Sequence, residues 1–342
     1  MSEITVAIPV RDGGDAFART LAATARQSVS HELLICDSGS RDGSVDLARS
    51  WNARVIEIPP SQFDHGGTRN LLMSQASGAR VAFLSQDAEP ADENWLERLL
   101  DAFEFGTEVG IVYGPYLPRP EAAPAVRWEL ERWFESLSRD GRPRIDRLEG
   151  RELPSPTGQR PLPAVALIGA RGFFTDANAC IARSAWERVP FREVAYAEDR
   201  LLAIDMLRNG YEKVFVPDAP VWHSHDYTTV EQLRRSFDEW RGLREVYGWR
   251  EPAGPRHVAR QLRGALGQAN GELGRAGALG RVSTLAGVAR HHLARLTGAL
   301  LGSRADRLPA GVRRRLSLEG RAGFSPLELD APDSPAIQGP TQ

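Results

Sequence analysis

The first 115 residues alternate between short apolar runs and amphipathic stretches. Five apolar or β-branched runs predict strands, at residues 4–10, 32–37, 54–58, 79–84 and 109–114. The segments between them have helical spacing of apolar residues and predict helices at residues 16–27, 44–50, 67–77 and 94–103. Strands that alternate with helices predict an α/β protein with a mostly parallel sheet flanked by helices. Ligands of such sheets bind beyond the carboxyl ends of the strands, so the residues after each strand are the ones to search for chemistry.

The pattern changes beyond residue 115. A helical stretch with two tryptophans is followed by a segment rich in Pro, Gly and Arg, which predicts a mobile insertion near residues 138–163. Strand and helix signals return up to about residue 227, and helical spacing dominates from residue 230. We predict three parts: an α/β domain at 1–229, with halves at 1–115 and 116–229, a basic helical region at 230–325, and a disordered tail at 326–342.

The net charge of the whole chain is uninformative, but the charge of one segment points to a partner. The 342 residues have a formal net charge of −2, which gives the whole chain no general attraction for polyanions. Residues 256–321, however, hold 13 arginines against three acidic residues. Apolar and cationic residues alternate there at helical spacing, which is typical of helices that lie on an anionic membrane surface. The alternatives are helices that pack on the acidic first domain, or a contact in an oligomer.

The sequence also bears on nucleic-acid binding and on the cellular compartment. No known nucleic-acid-binding motif accompanies the arginines, so a nucleic-acid partner is not expected. Cys36 and Cys180 lie in apolar runs, which indicates buried thiols in a reducing compartment. The first residues lack the basic and apolar regions of a signal peptide, and no apolar run reaches the length of about 18 residues that a membrane span needs. We expect a cytoplasmic protein that binds peripherally to the cytoplasmic face of the membrane.

Polar and glycine-rich segments follow four of the predicted strands. They are P-V-R-D-G-G from Pro9, D-S-G-S-R-D-G-S from Asp37, F-D-H-G-G-T-R-N from Phe63 and S-Q-D-A-E-P from Ser85. None has the glycine pattern of dinucleotide-binding or P-loop proteins. Asp37 can bind a base or ribose edge, although an Asx turn with a helix cap explains it as well. Asp87 is a suitable ligand for Mg²⁺ or Mn²⁺, although an isolated aspartate more often caps a turn.

The segment after the third strand combines two glycines with cationic side chains. His65 and Arg69 can face an anionic ligand while the glycines let the backbone approach it. The alternative is an ordinary helix start, with Arg69 exposed in the first turn. The clustering of His65, Arg69 and Asn70 favours the ligand-binding interpretation.

The second half of the chain adds three candidate segments. Glu198 and Asp199 open a predicted helix, where the helix dipole by itself favours carboxylates. His223 and His225 follow a predicted strand, and residues two apart on a strand point to the same face, so both can reach one metal ion. The third segment is F-F-T-D-A-N-A-C from Phe173, whose polar residues can bind sugar hydroxyls or form a polar strand edge.

Together these segments resemble the family-2 glycosyltransferases with the GT-A fold, over roughly residues 3–248. The match includes T-V-A-I-P-V, D-S-G-S-x-D-G-S, and Q-D-A where the family has its D-x-D-type motif. F-D-H-G-G-T-R-N, L-S-Q-D-A and V-W-H-S-H-D-Y-T are similar to the bacterial rhamnosyltransferase branch. The resemblance implies an inverting, metal-dependent transfer of a sugar, with rhamnose favoured, from a nucleoside-diphosphate sugar such as dTDP-rhamnose. The implied acceptor is a hydroxyl of a glycan or lipid-linked saccharide in cell-surface polysaccharide synthesis.

The resemblance also implies roles for individual residues. Asp199 is expected to be the catalytic base, with Glu198 beside it in the acceptor pocket. The residues expected to bind the nucleotide sugar are Pro9, Val10, Arg11, Asp37, Ser38, His65, Arg69, Gln86 and Asp87. Because Gln86 and Ala88 leave Asp87 without a second carboxylate, His223, or else His225, is expected to complete a site for Mg²⁺ or Mn²⁺. The acceptor is expected to contact Asp176, Asn178 and Trp222.

Two other functions compete with this interpretation. A sugar-nucleotide nucleotidyltransferase shares the sheet and the Asp–metal site, but it predicts a glycine-rich, lysine-bearing loop near the N-terminus. This chain has R-D-G-G there, and its only lysine is Lys213. A non-catalytic sugar-nucleotide-binding protein would not need Asp87, the Glu198–Asp199 pair and His223 together. Their joint presence favours an enzyme.

Overall fold

Residues 3–149, 171–272 and 278–327 are described in the computed structural model of the chain, and they fall into two units. Within these ranges, the first unit draws on Met1–Arg119 and Leu130–His223, and the second on Pro120–Glu129 and Ser224–Ala331. The second unit thus begins six residues before the predicted boundary at residue 230 and takes in a short earlier segment. Residues 328–342 of the predicted tail and residues 150–163 of the predicted insertion lie outside the described residues.

The first unit is built on a mixed sheet that has eight strands among the described residues. Their spatial order is β3 (Arg54–Glu57), β2 (Glu32–Asp37), β1 (Ile4–Val10), β4 (Arg80–Leu84), β9 (Asn178–Ala182), β6 (Val109–Tyr113), β10 (Glu212–Phe215) and β8 (Arg144–Asp146). The helices of this unit are α1 (Gly14–Ala25), α2 (Ser44–Ser50), α3 (His65–Gln75), α4 (Trp95–Asp101), α6 (Arg183–Arg188) and α7 (Glu198–Arg208). The predicted mostly parallel sheet flanked by helices is confirmed.

The centre of the sheet contains a strand that the hydrophobic pattern did not predict. All five residues of β9 are buried, and the strand runs antiparallel to both β4 and β6. Because the direction is reversed, the start of β9 lies beside the carboxyl ends of its neighbours, with Asn178 paired to Leu84. The loop before β9, which contains Asp176, therefore reaches the sheet edge from which Ser85 and the following residues emerge.

A second, small sheet lies at the same end of the first unit. In the described part of the chain it has three strands, β5 (Glu89–Pro90), β11 (Val221–Trp222) and β7 (Tyr116–Leu117). The backbone N–H of His223 donates to the carbonyl of Leu117 at 3.0 Å. Because β11 ends at Trp222, the prediction that His223 and His225 lie on regular strand backbone is wrong. The two histidines lie on irregular backbone, so the alternation of a strand does not set their directions.

The only lysine of the chain is buried next to β8, the strand at one edge of the sheet. Lys213, on β10, has no exposed surface, and its Nζ donates to Oδ2 of Asp146 at 2.9 Å and to the carbonyl of Phe173 at 2.8 Å. Burial lowers the pKa of Lys213 to about 8, although the charge of Asp146 acts in the opposite direction. Asp146 belongs to β8, so residues 144–146 of the predicted mobile insertion are part of the sheet.

The second unit is helical, as predicted. Its helices are α8 (Thr229–Tyr247), α9 (Pro255–Glu272), α10 (Ala278–Gly302) and α11 (Ala310–Leu316), and α5 (Pro124–Leu137) begins in its short early segment. A capping box of Thr228 and Glu231 starts α8. Gly298 and Gly302 let α10 approach α8 closely, since an added Cβ would lie 2.2 Å from the carbonyl oxygen of Leu233 and 2.3 Å from that of Phe237. Among the described residues no helix is long and apolar enough to cross a membrane.

Candidate functional site

The carboxyl ends of β1, β2 and β4 bring the residues predicted to bind the nucleotide together. Val10 and Asp37 are register partners on neighbouring parallel strands. The N–H of Ser38 donates to the carbonyl of Val10 at 3.0 Å, and the N–H of Arg11 donates to Oε1 of Gln86 at 2.8 Å. Three segments that are far apart in the sequence therefore form one edge of the sheet.

Asp37 has a clear structural role at this edge. Its side chain is buried, and its Oδ1 accepts hydrogen bonds from the backbone N–H groups of Gly39 at 2.8 Å and Ser40 at 3.0 Å. These bonds are those of an Asx turn, which is the alternative that the sequence left open. A contact of Asp37 with a base or ribose stays a prediction.

Asp87 and His223 lie side by side at the end of the first unit. Oδ1 of Asp87 is 3.5 Å from Nδ1 of His223, and both side chains are partly exposed. The ring of Tyr116 packs edge-on against the imidazole, with a centroid separation of 4.8 Å. A carboxylate oxygen and an imidazole nitrogen at this separation can bind one divalent cation, so the pair fits the predicted metal site.

The other predicted ligand, His225, is the second residue after His223 and falls in the second unit. Its exposed imidazole stacks on the ring of Tyr227, with centroids 5.3 Å apart and an angle of 17° between the ring planes. A role of His225 as a metal ligand stays a prediction.

A second charged cluster is formed by α3, α7 and the loop before β9. Arg69 is 6% exposed, and its guanidinium forms a two-pronged ion pair with Asp176, with Nη2 donating to Oδ1 at 2.8 Å. Nη1 of Arg69 lies 3.4 Å from Oε1 of Glu198, and Nδ1 of His65 lies 3.7 Å from the same oxygen. Arg69 and His65 were predicted to face the donor. The structure shows both of them beside carboxylates: Arg69 is buried in its ion pair with Asp176, while His65 is partly exposed and its contact with the donor stays a prediction.

This cluster changes the acidity of the two carboxyl groups at the start of α7. Burial, followed by the charge of Asp176, raises the pKa of Glu198 to about 8 and that of Asp199 to about 7. Arg69 opposes the shift of Glu198, and Arg200 and Arg69 oppose that of Asp199, but they do not offset the effects of burial and of Asp176. Near neutral pH the cluster therefore keeps a proton that ordinary carboxyl groups would release. Glu198 is buried beside Arg69 and His65, whereas Asp199 is half-buried.

Tyr116 connects the two clusters. Its ring contacts His223, and its hydroxyl is hydrogen-bonded to that of Thr175, the residue before Asp176. Burial raises the pKa of Tyr116, so its hydroxyl stays neutral at physiological pH. The Asp87–His223 pair and the carboxyl cluster are thus separated by about one side chain.

The three residues predicted to contact the acceptor differ in their surroundings. Asn178 is fully buried; its Oδ1 accepts from Nε1 of Trp95 at 2.8 Å, and its Nδ2 donates to the carbonyls of Pro115 at 3.0 Å and Ala219 at 2.9 Å. The prediction that Asn178 contacts the acceptor is therefore wrong, because its amide oxygen and both amide hydrogens bond groups inside the fold. Asp176 is committed to Arg69 in the same way. Trp222 is half-buried in β11, and its predicted stacking on a sugar stays a prediction.

Two residues next to the Asp87–His223 pair, Tyr116 and Arg119, were not predicted from the sequence. Both follow β6, within the segment Y-G-P-Y-L-P-R. The predicted site residues of the first half all come from segments that follow the first four strands, whereas these two follow the fifth. The rule about strand ends, applied once more, would have found both residues.

Comparisons with known proteins identify the family to which this chain belongs. The sequence model of the family described as Glycosyl transferase family 2 matches residues 5–159. The O-antigen chain rhamnosyltransferase RfbN of Salmonella typhimurium is 30% identical over 242 residues, which are 69% of this chain and 71% of that protein. The O-antigen chain rhamnosyltransferase WbaN of Salmonella anatum is 30% identical over 211 residues, which are 60% of this chain and 61% of that protein.

A solved structure supports the fold. The mannosyltransferase PcManGT from Pyrobaculum calidifontis, in complex with GDP-Man and Mn²⁺, superposes with a TM-score of 0.50 at 17% identity, over 91% of this chain and 75% of that one. The likeness confirms the predicted GT-A-type architecture. The relatives favour neither a nucleotidyltransferase nor a non-catalytic protein, and the predicted resemblance is confirmed: the chain is a glycosyltransferase and belongs to glycosyl transferase family 2.

Proposed function

We propose that this glycosyltransferase transfers rhamnose from dTDP-rhamnose, with inversion, to a hydroxyl of a glycan or lipid-linked saccharide during cell-surface polysaccharide synthesis. The donor sugar and the pathway are supported by two relatives named as O-antigen chain rhamnosyltransferases. The observation that carries the mechanism is the arrangement around Tyr116. The ring of Tyr116 contacts His223 of the candidate cation-binding pair, and its hydroxyl bonds Thr175, the neighbour of Asp176, whose charge raises the pKa of Asp199.

The nucleoside diphosphate is proposed to bind at the edge formed by the ends of β1, β2 and β4. The residues proposed to contact it there are Pro9, Val10, Arg11, Asp37, Ser38, Gln86 and Asp87. Ligands of open α/β sheets bind beyond the carboxyl ends of the strands, which supports this placement.

A divalent cation, Mg²⁺ or Mn²⁺, is proposed to bind to Asp87 with His223, or with His225 in its place. When bound, it neutralises negative charge on the departing diphosphate. The residues of the chain have the task of holding their ligand atoms in place. The 3.5 Å separation of Asp87 Oδ1 and His223 Nδ1 is consistent with both binding one ion.

Asp199 is proposed to remove the proton from the acceptor hydroxyl. The hydroxyl oxygen forms its bond to the anomeric carbon on the face opposite the departing nucleoside diphosphate, and the bond between that carbon and the phosphate oxygen breaks. The proton ends on Asp199, and the configuration at the anomeric carbon is inverted. A base whose pKa is near the working pH suits this proton transfer, because it is ionised and still basic enough to accept the proton.

The donor assignment is tested with a panel of nucleotide sugars. In the presence of Mn²⁺, dTDP-rhamnose is expected to raise the melting temperature more than UDP-glucose, UDP-N-acetylglucosamine or GDP-mannose. Without an acceptor, slow release of dTDP that stops on chelation with EDTA is expected. Stabilisation and cleavage by another nucleotide sugar alone would overturn the choice of donor, and cleavage that EDTA leaves unchanged would overturn the cation.

We also propose that the basic helices of the second unit bind an anionic membrane surface, which suits a lipid-linked acceptor. Arg256, Arg260 and Arg263 are exposed along α9, and Arg314 and Arg315 are exposed on α11. Each basic residue near an anionic surface contributes about 1 kcal/mol of binding free energy, and salt weakens this attraction.

A sedimentation assay with lipid vesicles tests the membrane contact. The protein is expected to sediment with vesicles that contain phosphatidylglycerol, and not with pure phosphatidylcholine, at about 0.1 M salt. Replacing Arg256, Arg260 and Arg263 together by glutamine is expected to weaken binding about 100-fold, from about 1 kcal/mol per residue. The single change Arg49→Gln, at an exposed arginine of the first unit, is the control and is expected to have little effect. Failure of the unaltered protein to sediment with anionic vesicles would refute this proposal.

A further inference from the structure

The two segments that contain Asp87 and His223 are joined by very little backbone structure. The strands β5, β7 and β11 of the small sheet have two residues each. Glu89 of β5 pairs with Trp222 of β11, one residue before His223. Such short strands form few ladder hydrogen bonds, so this sheet needs other contacts to hold the two ligand atoms at a fixed separation.

Arg119, two residues after β7, supplies such contacts. Its guanidinium is largely buried, with 15% of the side chain exposed. Nη2 donates to the main-chain carbonyl of Asp87 at 2.9 Å and approaches the carbonyl of Trp222 at 3.4 Å, while Nη1 lies 3.2 Å from Oε2 of Glu89. One planar group thus bonds the carbonyl of one candidate ligand and reaches the carbonyl that directly precedes the other.

Glu89 has its own part in this arrangement. Its Oε2 also lies 3.6 Å from Nε of Arg19, so the carboxylate is placed between two guanidinium groups. Two cations beside one carboxylate make it a poor ligand for a third cation. This agrees with a site in which Asp87 is the ligand of its loop and Glu89 anchors Arg119.

We propose that Arg119 is a positioning residue for the cation site, which fixes the distance between Asp87 and His223 through their main chains and is itself anchored by Glu89. The inference rests on the proposed function, because it takes Asp87 and His223 to be the ligands. Outer partners that orient metal ligands typically change metal affinity by about 10–100-fold when they are removed. Lysine has a single nitrogen and cannot reproduce the flat fork of donors that reaches three oxygens.

Mn²⁺ binding, followed by electron paramagnetic resonance of the free ion with and without dTDP, tests the proposal without any turnover. Arg119→Gln is expected to weaken Mn²⁺ binding at least tenfold while circular dichroism stays that of the unaltered protein. Arg119→Lys is expected to weaken binding almost as much, and it serves in place of Arg119→Gln if that variant does not fold. Glu89→Gln keeps an oxygen acceptor for Arg119 and is expected to bind Mn²⁺ within about threefold of the unaltered protein.

Arg98→Gln is the matched control. Nη1 of Arg98 donates to the carboxylate of Asp92, and the same guanidinium bonds the carbonyl of Asp218, so it joins the two segments at the opposite end of β5 and β11. The change removes a similar link away from the ligands and is expected to leave Mn²⁺ affinity unchanged.

The possible failures can be told apart. Mn²⁺ binding by Arg119→Gln that equals that of the unaltered protein would overturn the positioning role alone. Equal losses in Arg98→Gln and Arg119→Gln would also overturn it, because they would show that any link in the small sheet matters. Loss of binding in Glu89→Gln together with normal binding in Arg119→Gln would make Glu89 a ligand and overturn the positioning role. Absence of Mn²⁺ binding by the unaltered protein would overturn the proposed cation site, and this inference with it.

Discussion

Replacing Asp199 by asparagine is expected to lower sugar transfer by about 10²–10⁴-fold, because the amide cannot accept the proton of the acceptor hydroxyl. Steady-state transfer with a saturating donor measures this loss. Slow cleavage of the donor by water is expected to fall less, since the cation site is unchanged. Transfer by Asp199→Asn at the normal rate would refute the assignment of the base.

Glu198→Gln separates the two neighbouring carboxyl groups. Glu198 lies beside Arg69 and His65 and, with its pKa raised to about 8, keeps its proton at neutral pH. Glutamine resembles this protonated form, so the loss of activity is expected to be much smaller than for Asp199→Asn. A larger loss for Glu198→Gln would exchange the two roles.

The pH dependence of transfer follows from the same groups. Asp199 is active when ionised and its pKa is raised to about 7, so kcat/KM is expected to fall about tenfold per pH unit below that value. The groups around it are Asp176, Arg69, Glu198 and Arg200, of which Asp176 raises its pKa and the two arginines lower it. A rate that stays level down to pH 5 would contradict a base in this environment.

The free energy of unfolding is expected to fall as the pH rises, whereas kcat/KM rises. A carboxyl group whose pKa is higher in the folded than in the unfolded state stabilises the fold at low pH. For Glu198 and Asp199 this stabilisation is lost as the pH rises from about 4 to about 8. Asp199→Asn removes one such group, so it is expected to melt at no lower temperature than the unaltered protein at pH 8. Its loss of activity then cannot be assigned to unfolding.

Asp87→Ala is expected to lower transfer by about 10²–10³-fold, because the departing diphosphate loses a fixed counter-charge. Its Mn²⁺ affinity, measured by calorimetry with dTDP present, is expected to fall in parallel. His223→Ala is expected to show a smaller loss in both measurements. His225→Ala tests the second histidine: a greater loss of Mn²⁺ affinity than for His223→Ala would make His225 the ligand. Full Mn²⁺ affinity in Asp87→Ala would remove Asp87 from the cation site.

Much of the first unit could be predicted from the sequence because its strands are short buried runs separated by amphipathic helices. The strands β1, β2 and β6 begin at the predicted residues, and α7 begins at Glu198, within the segment predicted to open a helix. β9 was missed because N-A-C-I-A has no alternation and follows polar residues, and only its neighbours on both sides make it a strand. Pairing between distant segments is not visible in local periodicity.

The site was predictable in its residue types more than in their contacts. The strand-end rule selected Asp87 and Arg69, and the family resemblance selected Glu198, Asp199 and His223. The sequence could not show that Arg69 pairs with Asp176, because 107 residues separate the two partners. Asn178 was misassigned for the same reason: the groups that use its amide, on Trp95, Pro115 and Ala219, lie at least 41 residues away in the chain.

Lys213 gives this protein an internal reporter of motion at the edge of its sheet. It is the only lysine of the chain, and its amine has no exposed surface while β8 stays paired with β10. A reagent that modifies lysine amines can reach this nitrogen only when the edge strand opens. The labelling rate of Lys213 therefore measures how often β8 detaches from β10, without any engineered probe. The same labelling with donor or acceptor present would show whether substrates hold that edge closed.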